Sequence, residues 1–258
     1  MADKAVALNL KTKPGILFPI YSKMALGERH FALFYRMATP SLTAAPSLLA
    51  LGDSYSIGEG VPLYESFPYQ AVRLLREAGR PFTAPEIIAR TGWTTDELAA
   101  GMANIRFLPA YDIVSLLIGV NNQYRGRDRQ EYARQFEELL QEAIRLAGAA
   151  GQVFVLSIPD WSVTPFAHSN LPDAGGRDRV AHEIDAFNKT AEDITQKYGS
   201  HFLDITEHTR WSALRLQEQS PGSLSASPSP FAADGLHPSG EEYRYWAEQL
   251  AAMILARQ

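Results

Sequence analysis

Short apolar runs alternate with amphipathic stretches along most of the chain. Uninterrupted apolar runs are typical of strands that are buried on both faces. They predict five strands, at residues 48–51, 86–89, 113–118, 153–156 and 202–205. Apolar residues at helical spacing lie between and after these runs. They predict helices over about 66–78, 94–104, 128–147, 179–197 and 239–256. Strands that alternate with helices predict a parallel sheet with helices on both faces.

Capping residues mark the ends of several predicted helices. Asp128 opens the clearest amphipathic helix, and Gly148 closes it. Thr94 and Ser239 each stand three residues before a glutamate, which is the pattern of a capping box. These boundaries agree with the apolar periodicity, so the helices they delimit are well defined by local sequence.

Three stretches lack a regular pattern. Residues 1–45 are rich in proline and glycine, and they predict an extension, in part disordered, before one folded domain over 46–258. Met37 is an alternative start site within this extension. A glycine-containing stretch at 171–176 and a Ser/Pro-rich stretch at 217–233 predict loops.

Composition and charge exclude several classes of protein. Of 258 residues, 46% are hydrophobic and 21% charged, which is enough apolar sequence for a sizeable core. The net charge of −5 argues against a general nucleic-acid binder, which needs a basic surface. The lack of cysteine excludes thiol nucleophiles and thiolate metal sites. No secretion signal or apolar run of the roughly 18 residues needed to cross a bilayer is evident, so we expect a cytoplasmic protein.

A glycine near a small polar residue follows three of the predicted strands. Ser54 comes after the first strand within Gly-Asp-Ser, Gly92 follows the second, and Asn121 follows the third. The carboxyl ends of parallel strands share one edge of the sheet, where ligands bind in open α/β folds. The pattern therefore predicts that a serine hydroxyl meets backbone and amide N–H donors at this edge.

A second candidate group lies just before the last predicted helix. Asp234 and His237 are three residues apart, so one turn can bring both side chains to the same side. Pro238 disfavours helical dihedrals at His237 and so places it on the loop. A hydroxyl, an imidazole, a carboxylate and oxyanion donors are the parts that acyl transfer by a serine requires.

Four sequence blocks, in this order, resemble those of the SGNH (GDSL-type) hydrolases, a family of serine esterases and lipases. The blocks are GDSYS at 52–56, the region of Gly92, GVNN at 119–122 and DGLHPS at 234–239. The resemblance spans about residues 47–256. It implies a three-layer α/β/α sandwich with a flavodoxin-like, five-stranded parallel sheet, and it implies no cofactor.

The resemblance also implies roles for individual residues. Ser54 would be the nucleophile, His237 the base and Asp234 its partner. The backbone N–H groups of Ser54 and Gly92 and the side-chain amide of Asn121 would form the oxyanion hole. Asn122 departs from the family pattern, which usually has Asp there. We expect this change to affect hydrogen bonding around the loop rather than catalysis.

The resemblance predicts hydrolysis of a small-molecule carboxylic ester through an acyl-enzyme on Ser54. Aromatic residues after the predicted strand ends are candidates for the substrate pocket, and each could equally pack in the core: Tyr55, Trp93, Tyr124, Trp161 and Phe166. The histidines show no metal-ligand spacing, so no metal is expected. Two alternatives use the same fold. One is a thioesterase or carbohydrate deacetylase with the same triad, and the other is a catalytically silent protein that binds a ligand or glycan.

Overall fold

The computed structural model describes residues 45–171, 173–218 and 229–257. The predicted extension, with Met37, lies outside the described residues except for Ala45. The central part of the loop predicted over 217–233 also lies outside them.

A five-stranded parallel sheet forms the centre of the fold. Its strands are β1 (Leu48–Gly52), β2 (Glu86–Ala89), β3 (Ile113–Leu117), β4 (Gln152–Leu156) and β5 (His201–Leu203). They lie in the order β2-β1-β3-β4-β5, with every neighbouring pair parallel. This is the flavodoxin-like order, in which the ligand crevice opens between β1 and β3. The predicted α/β sandwich with a flavodoxin-like sheet is confirmed.

Nine α-helices surround this sheet in the described residues. They are α1 (Ser54–Ile57), α2 (Phe67–Glu77), α3 (Thr95–Met102), α4 (Val120–Tyr124), α5 (Arg129–Ala147), α6 (Pro165–Asn170), α7 (Ala174–Lys197), α8 (Thr206–Glu218) and α9 (Gly240–Leu255). Helix α2 packs against α9, whereas α5 packs against both α3 and α7. All residues of β1 and β3 are buried, as expected for central strands covered on both sides.

The register of the sheet aligns the ends of three strands. Gly52 at the end of β1 pairs with Ala89 of β2 on one side and with Leu117 of β3 on the other. The segments that follow these three strands therefore leave the sheet side by side. Neighbouring strands are about 4.8 Å apart, so residues at equivalent positions beyond the ends can approach one another.

Local capping explains the boundaries that the sequence predicted well. The Asp128 carboxylate accepts hydrogen bonds from the N–H groups of Gln130 and Glu131, at 2.8 and 3.0 Å, and so starts α5. Gly148 follows the last residue of that helix with φ of +67°, a conformation that favours glycine. This helix begins and ends where the sequence indicated.

The short helices α1, α4 and α6 were not predicted, and two further regions differ from expectation. The loop predicted at 171–176 is wrong in part, because α7 already begins at Ala174. The Asp173 carboxylate accepts from the N–H of Gly176 at 2.6 Å, and this cap outweighs the low helix propensity of two glycines. Helix α8 was not predicted, and its last turn extends into the loop expected from residue 217. No helix within the described ranges is both long and apolar enough to cross a membrane.

Candidate active site

Ser54 lies at the carboxyl end of β1, where the chain turns directly into α1. It is the first residue of that helix, and only 5% of it is exposed. The carboxylate of Asp53 caps the helix by accepting from the N–H of Tyr55 at 3.0 Å. The N–H of Ser54 has no partner within the helix, because the first N–H groups of any helix lack one. The turn thus places a hydroxyl and an N–H donor of one residue together.

Glycine is required immediately before this turn. A Cβ atom on Gly52 would lie 2.2 Å from the Ser56 Oγ and 2.3 Å from the Leu117 carbonyl oxygen. Both distances are far below van der Waals contact, and one of the atoms belongs to the backbone. The close approach of β1, β3 and α1 therefore depends on the absence of a side chain at this position.

The carboxyl group of Asp53 is buried beside the serine. Its Oδ1 caps α1, but its Oδ2 has no hydrogen-bond partner among the described residues. Burial raises the pKa of Asp53 to about 7, although the hydrogen bond from Tyr55 N–H opposes this shift. Near neutral pH this group is therefore close to its titration midpoint.

Asp234 and His237 form a hydrogen-bonded pair in the loop before α9. The Asp234 Oδ2 lies 2.6 Å from the His237 Nδ1. The other carboxylate oxygen accepts from the N–H groups of Leu236 and His237, at 2.9 and 3.0 Å. Because Nδ1 is held by the carboxylate, Nε2 is the ring nitrogen left to exchange a proton with another group.

The surroundings of this pair keep its carboxylate charged. Burial raises the pKa of Asp234, but the hydrogen bond from His237 and those from the two backbone N–H groups outweigh it. The net effect is a pKa below the ordinary value for aspartate. A charged Asp234 can hold the His237 ring in one orientation through its hydrogen bond to Nδ1.

The segment that begins with Ser54 packs against this pair. The Tyr55 ring meets the His237 ring edge-on, with centroids 5.6 Å apart and an interplanar angle of 61°. A Cβ atom on Gly60 would be 3.7 Å from both the Asp234 Oδ2 and the His237 Cβ. Among the described residues, no hydrogen bond joins Ser54 Oγ to the His237 ring. The two segments therefore lie side by side near Tyr55 and Gly60.

Gly92 and Asn121 lie after the strands on either side of β1. The N–H of Trp93 donates to the Arg90 carbonyl at 3.2 Å and closes a turn, in which Gly92 has φ of +82°. The Gly92 N–H takes no part in that hydrogen bond. Asn121, in α4, donates one N–H of its amide to the Trp93 carbonyl at 3.0 Å, which leaves its second N–H. We use "edge site" for Ser54, Gly92, Asn121, Asp234 and His237.

The structure gives a physical reason for asparagine at position 122. The Asn122 Oδ1 accepts from the Thr95 N–H at 3.1 Å, while its Nδ2 donates to the Thr95 Oγ1 at 2.7 Å. The Thr95 hydroxyl in turn donates to the side chain of Gln135. An ionised aspartate could accept from Thr95 but could not donate to it. The departure from the family pattern is therefore matched to its hydrogen-bond partners and joins α4 to the start of α3.

The candidate pocket residues separate into two groups. Tyr55 is 3% exposed and packs between His237 and Trp246, so it belongs to the core. The Trp93 ring lies over Gly101 of α3, where a Cβ atom would be 2.3 Å from it. Tyr124, Trp161 and Phe166 instead form an aromatic row, with centroid distances of 5.5 and 6.3 Å.

The aromatic row is connected to the loop that carries the Asp234–His237 pair. The N–H of Phe166 donates to the Gly235 carbonyl at 2.9 Å. Tyr124, at the other end of the row, is 60% exposed and so provides an open apolar surface. Among the residues that the structure describes, no cluster of three or more histidine and acidic side chains could hold a metal ion.

A second group of serine, histidine and carboxylate joins α8 to α9. We call Ser212, His208 and Glu242 the helix cluster. The Glu242 carboxylate is 2.9 Å from both the His208 Nδ1 and the Ser212 Oγ, and the same hydroxyl lies 3.3 Å from His208 Nδ1. The sequence indicated only that Glu242 follows a capping serine. This cluster was missed because α8 was not predicted.

One family of known proteins resembles this chain in sequence. The sequence model of the GDSL-like Lipase/Acylhydrolase family matches residues 50–245, well over half of the chain. Among curated proteins, no significant sequence relative is found.

Solved structures share the fold at low sequence identity. A member of the lipolytic G-D-S-L family from Veillonella parvula DSM 2008 is 17% identical, with a TM-score of 0.57, and the match covers 83% of this chain and 100% of that one. Axe2, an acetylxylan esterase from Geobacillus stearothermophilus, is 18% identical, with a TM-score of 0.58 and coverage of 82% and 94%. A lipase/acylhydrolase from Enterococcus faecalis is 19% identical, with a TM-score of 0.57 and coverage of 82% and 96%.

The family match includes the segments after β1, β2 and β3 and the Asp234–His237 loop. The solved structures add agreement on the architecture that brings these segments to one edge of the sheet. The chain belongs to the GDSL-like Lipase/Acylhydrolase family and is a hydrolase of ester bonds.

Proposed function

We propose that the protein hydrolyses small carboxylic esters through an acyl-enzyme on Ser54, with His237 as general base and Asp234 as its partner. The observation that carries this proposal is the 2.6 Å hydrogen bond between Asp234 and His237 Nδ1, on a loop packed against the Ser54 segment. A serine hydroxyl is weakly nucleophilic until a base takes its proton, and a histidine that is held by a carboxylate can serve as this base.

The reaction begins when Ser54 Oγ forms a bond to the ester carbonyl carbon and its proton passes to His237 Nε2. The negative charge on the carbonyl oxygen is stabilised by the N–H groups of Ser54 and Gly92 and by the second N–H of Asn121. The bond to the alcohol oxygen then breaks, and His237 returns the proton to the departing alcohol. This leaves the acyl group on Ser54 Oγ.

Water completes the cycle by the same steps. His237 takes a proton from the water as its oxygen bonds to the acyl carbon, and the bond to Ser54 Oγ breaks as His237 returns that proton to the serine. Ser54 and His237 need to come within hydrogen-bond reach for both halves of the reaction. Catalytic hydrogen bonds are often long before substrate binds, so the lack of a hydrogen bond between Ser54 Oγ and the His237 ring in the described residues is compatible with this role.

The aromatic row of Tyr124, Trp161 and Phe166 is the proposed binding surface for the acyl or alcohol group. Two observations support this part of the proposal: Tyr124 is exposed, and the Phe166 N–H donates to the Gly235 carbonyl on the loop that carries His237. Carbohydrate acetyl esters are one substrate class to test, since Axe2 is an acetylxylan esterase. A cytoplasmic location is a further part of the proposal and rests on the sequence alone.

Hydrolysis of p-nitrophenyl acetate by matched serine variants tests this function. Ser54→Ala should lower kcat/KM by at least about 10⁴-fold, because the covalent route is lost. Ser212→Ala is the control, since Ser212 is also a buried serine beside a histidine and a carboxylate. It should leave kcat/KM within about twofold of the wild type.

The outcomes separate the proposed function from its alternatives. An inactive wild-type protein would favour a ligand-binding protein, whereas full activity in Ser54→Ala would assign the hydrolysis to another site. Either result would exclude the serine-esterase mechanism at Ser54. Acyl thioesters and acetylated xylo-oligosaccharides, assayed with the same variants, distinguish a thioesterase or deacetylase from a simple esterase. Activity towards either substrate supports the proposed mechanism only if Ser54→Ala abolishes it.

A further inference from the structure

The carbonyl group of Gly92 is held by a side chain from a neighbouring loop. Arg125, the residue after α4, donates from Nη2 to the Gly92 carbonyl oxygen at 2.5 Å. From Nη1 it also donates to the two carboxylate oxygens of Glu97, at 3.1 and 3.2 Å. One guanidinium group thus connects the turn after β2 with the first turn of α3.

Glu97 orients this guanidinium. The Glu97 Oε2 accepts from the Thr94 N–H at 2.9 Å, as the capping box at the start of α3 requires. The hydrogen bond from Thr94 N–H and those from Arg125 hold the pKa of Glu97 below its ordinary value, although slight burial opposes the shift. Arg125 therefore faces a charged carboxylate that is itself fixed to the backbone two residues after Gly92.

Two successive carbonyl groups of the turn are held from α4 and the residue that follows it. Arg125 binds the carbonyl of Gly92, and Asn121 binds the carbonyl of Trp93. Glycine has wide backbone freedom, and Gly92 occupies the left-handed region with φ of +82°. The Gly92 carbonyl belongs to the Gly92–Trp93 peptide group, whose N–H donates to the Arg90 carbonyl. The guanidinium adds a second restraint on the same peptide group, at its carbonyl oxygen.

We propose that Arg125 is a positioning residue for ester hydrolysis: by holding the Gly92 carbonyl, it keeps the Gly92 N–H directed at the oxyanion. This inference rests on the proposed function, in which that N–H stabilises the tetrahedral intermediate. An oxyanion hole is effective because its donors are oriented before the charge develops. Arg125 would contribute to that orientation without contact with substrate.

The competing interpretation is that Arg125 only forms a surface ion pair. The side chains of Arg125 and Glu97 are 41% and 40% exposed, and such pairs contribute little to stability. Arg127 provides a matched control. Its guanidinium lies 3.1 Å from Asp96, beside Glu97, and 3.6 Å from Glu131. It therefore also links this loop to α3, but through a different carboxylate and without the Gly92 carbonyl.

Kinetics of Arg125→Gln and Arg127→Gln, with p-nitrophenyl acetate as substrate, separate the two interpretations. Arg125→Gln should lower kcat by about 10- to 100-fold, less than the loss of a whole oxyanion donor, with KM changed by less than about twofold. Arg125→Lys should recover part of this loss, because an ammonium group can donate to one carbonyl. Arg127→Gln should stay within about twofold of the wild type.

Phenylboronic acid gives a readout that a structural role would not change. Ser54 Oγ adds to the boron atom as its proton passes to His237, so the adduct is a tetrahedral anion that resembles the intermediate. Arg125→Gln should weaken this inhibitor by a factor close to its loss in kcat/KM, because both depend on the oxyanion donors. Urea-unfolding midpoints, measured for every variant, should remain at the wild-type value.

Two results would overturn the role of Arg125. One is an equal effect of Arg125→Gln and Arg127→Gln on kcat, and the other is unchanged affinity for phenylboronic acid in Arg125→Gln. Neither result affects the proposed function, which depends on Ser54→Ala. If Ser54→Ala retains activity, the serine mechanism fails first, and the kinetics of the arginine variants must be attributed to another site.

Discussion

The edge site and the helix cluster contain the same kinds of side chain but connect them differently. In the edge site, Asp234 holds His237 Nδ1, and the other ring nitrogen is left for proton transfer. In the helix cluster, Glu242 binds both His208 Nδ1 and the Ser212 hydroxyl, and that hydroxyl lies against the same ring nitrogen. A hydroxyl that donates to a carboxylate is not activated by the imidazole. The order of connections, not the composition, therefore separates the proposed catalytic site from a group whose hydrogen bonds hold two helices together.

The edge site and the helix cluster also differ in their positions in the fold. The edge site lies where three strands end in register and where parallel sheets of this order bind ligands. The helix cluster lies between α8 and α9, and the His208 ring stacks on Tyr245 with centroids 3.3 Å apart. The His208 ring is engaged by stacking and by hydrogen bonds. We therefore interpret the helix cluster as a structural contact that holds α8 in place.

Isosteric replacement of the two carboxylates should give the largest contrast. Asp234→Asn can donate from its amide to His237 Nδ1, which forces the proton onto Nε2 and prevents that nitrogen from accepting the serine proton. We expect kcat/KM for p-nitrophenyl acetate to fall by about 10⁴-fold. Glu242→Gln should instead cost roughly 1–3 kcal/mol in the free energy of unfolding, measured with urea. Its activity per folded molecule should stay close to the wild type.

The interpretation of the two groups would be reversed if Glu242→Gln lost activity without a loss of stability. A decrease of less than about tenfold in Asp234→Asn would remove Asp234 from the catalytic role, since a wrong tautomer costs far more.

The oxyanion donors offer a second, smaller contrast. Asn121→Ala should reduce kcat by about 10²–10³-fold, because it removes a donor to the developing charge. Asn104→Ala is the control, since the Asn104 amide also donates to a backbone carbonyl, that of Ala100 at 3.2 Å, but at the end of α3. Steady-state kinetics with p-nitrophenyl acetate compare the two. A loss below about threefold in Asn121→Ala would assign this residue to holding Trp93 alone.

The sequence predicted the elements whose ends are set by nearby residues. The apolar run of β3 and the caps Asp128 and Gly148 act within a few positions, so their effect is visible in the pattern. The spacing of Asp234 and His237 is equally local, and their hydrogen bond follows from one turn. The roles of the edge-site residues came from the resemblance of ordered blocks to a family, which periodicity alone does not supply.

What the sequence missed depends on contacts between distant residues. Helix α8 has no continuous apolar stripe, and Trp211 and Leu214 are 52% and 57% exposed. It is held by polar contacts instead, including those of the helix cluster and the 2.7 Å ion pair between Arg210 and Asp160. The contact of Arg125 with the Gly92 carbonyl also spans 33 positions, so no local pattern indicated it.

The last contrast concerns two buried carboxyl groups and an effect on stability alone. Both oxygens of Glu242 are hydrogen-bonded, whereas Asp53 has one bonded and one unpartnered oxygen among the described residues. Burial raises the pKa of Asp53 to about 7 in the folded state, above its unfolded value of 3.8. The folded protein therefore binds more protons than the unfolded chain between these values, and its stability must fall as pH rises.

Urea unfolding of the wild type and Asp53→Asn at pH 5 and pH 8 measures this effect. The asparagine variant does not titrate, so the difference between the two proteins isolates Asp53 from other groups. Relative to the variant, the wild type should lose roughly 2–3 kcal/mol of unfolding free energy over this range. A difference that does not change with pH would mean that Asp53 is ionised throughout. Its Oδ2 would then need a partner such as an internal water, and Asp53 would add a second fixed negative charge, besides that of Asp234, next to Ser54.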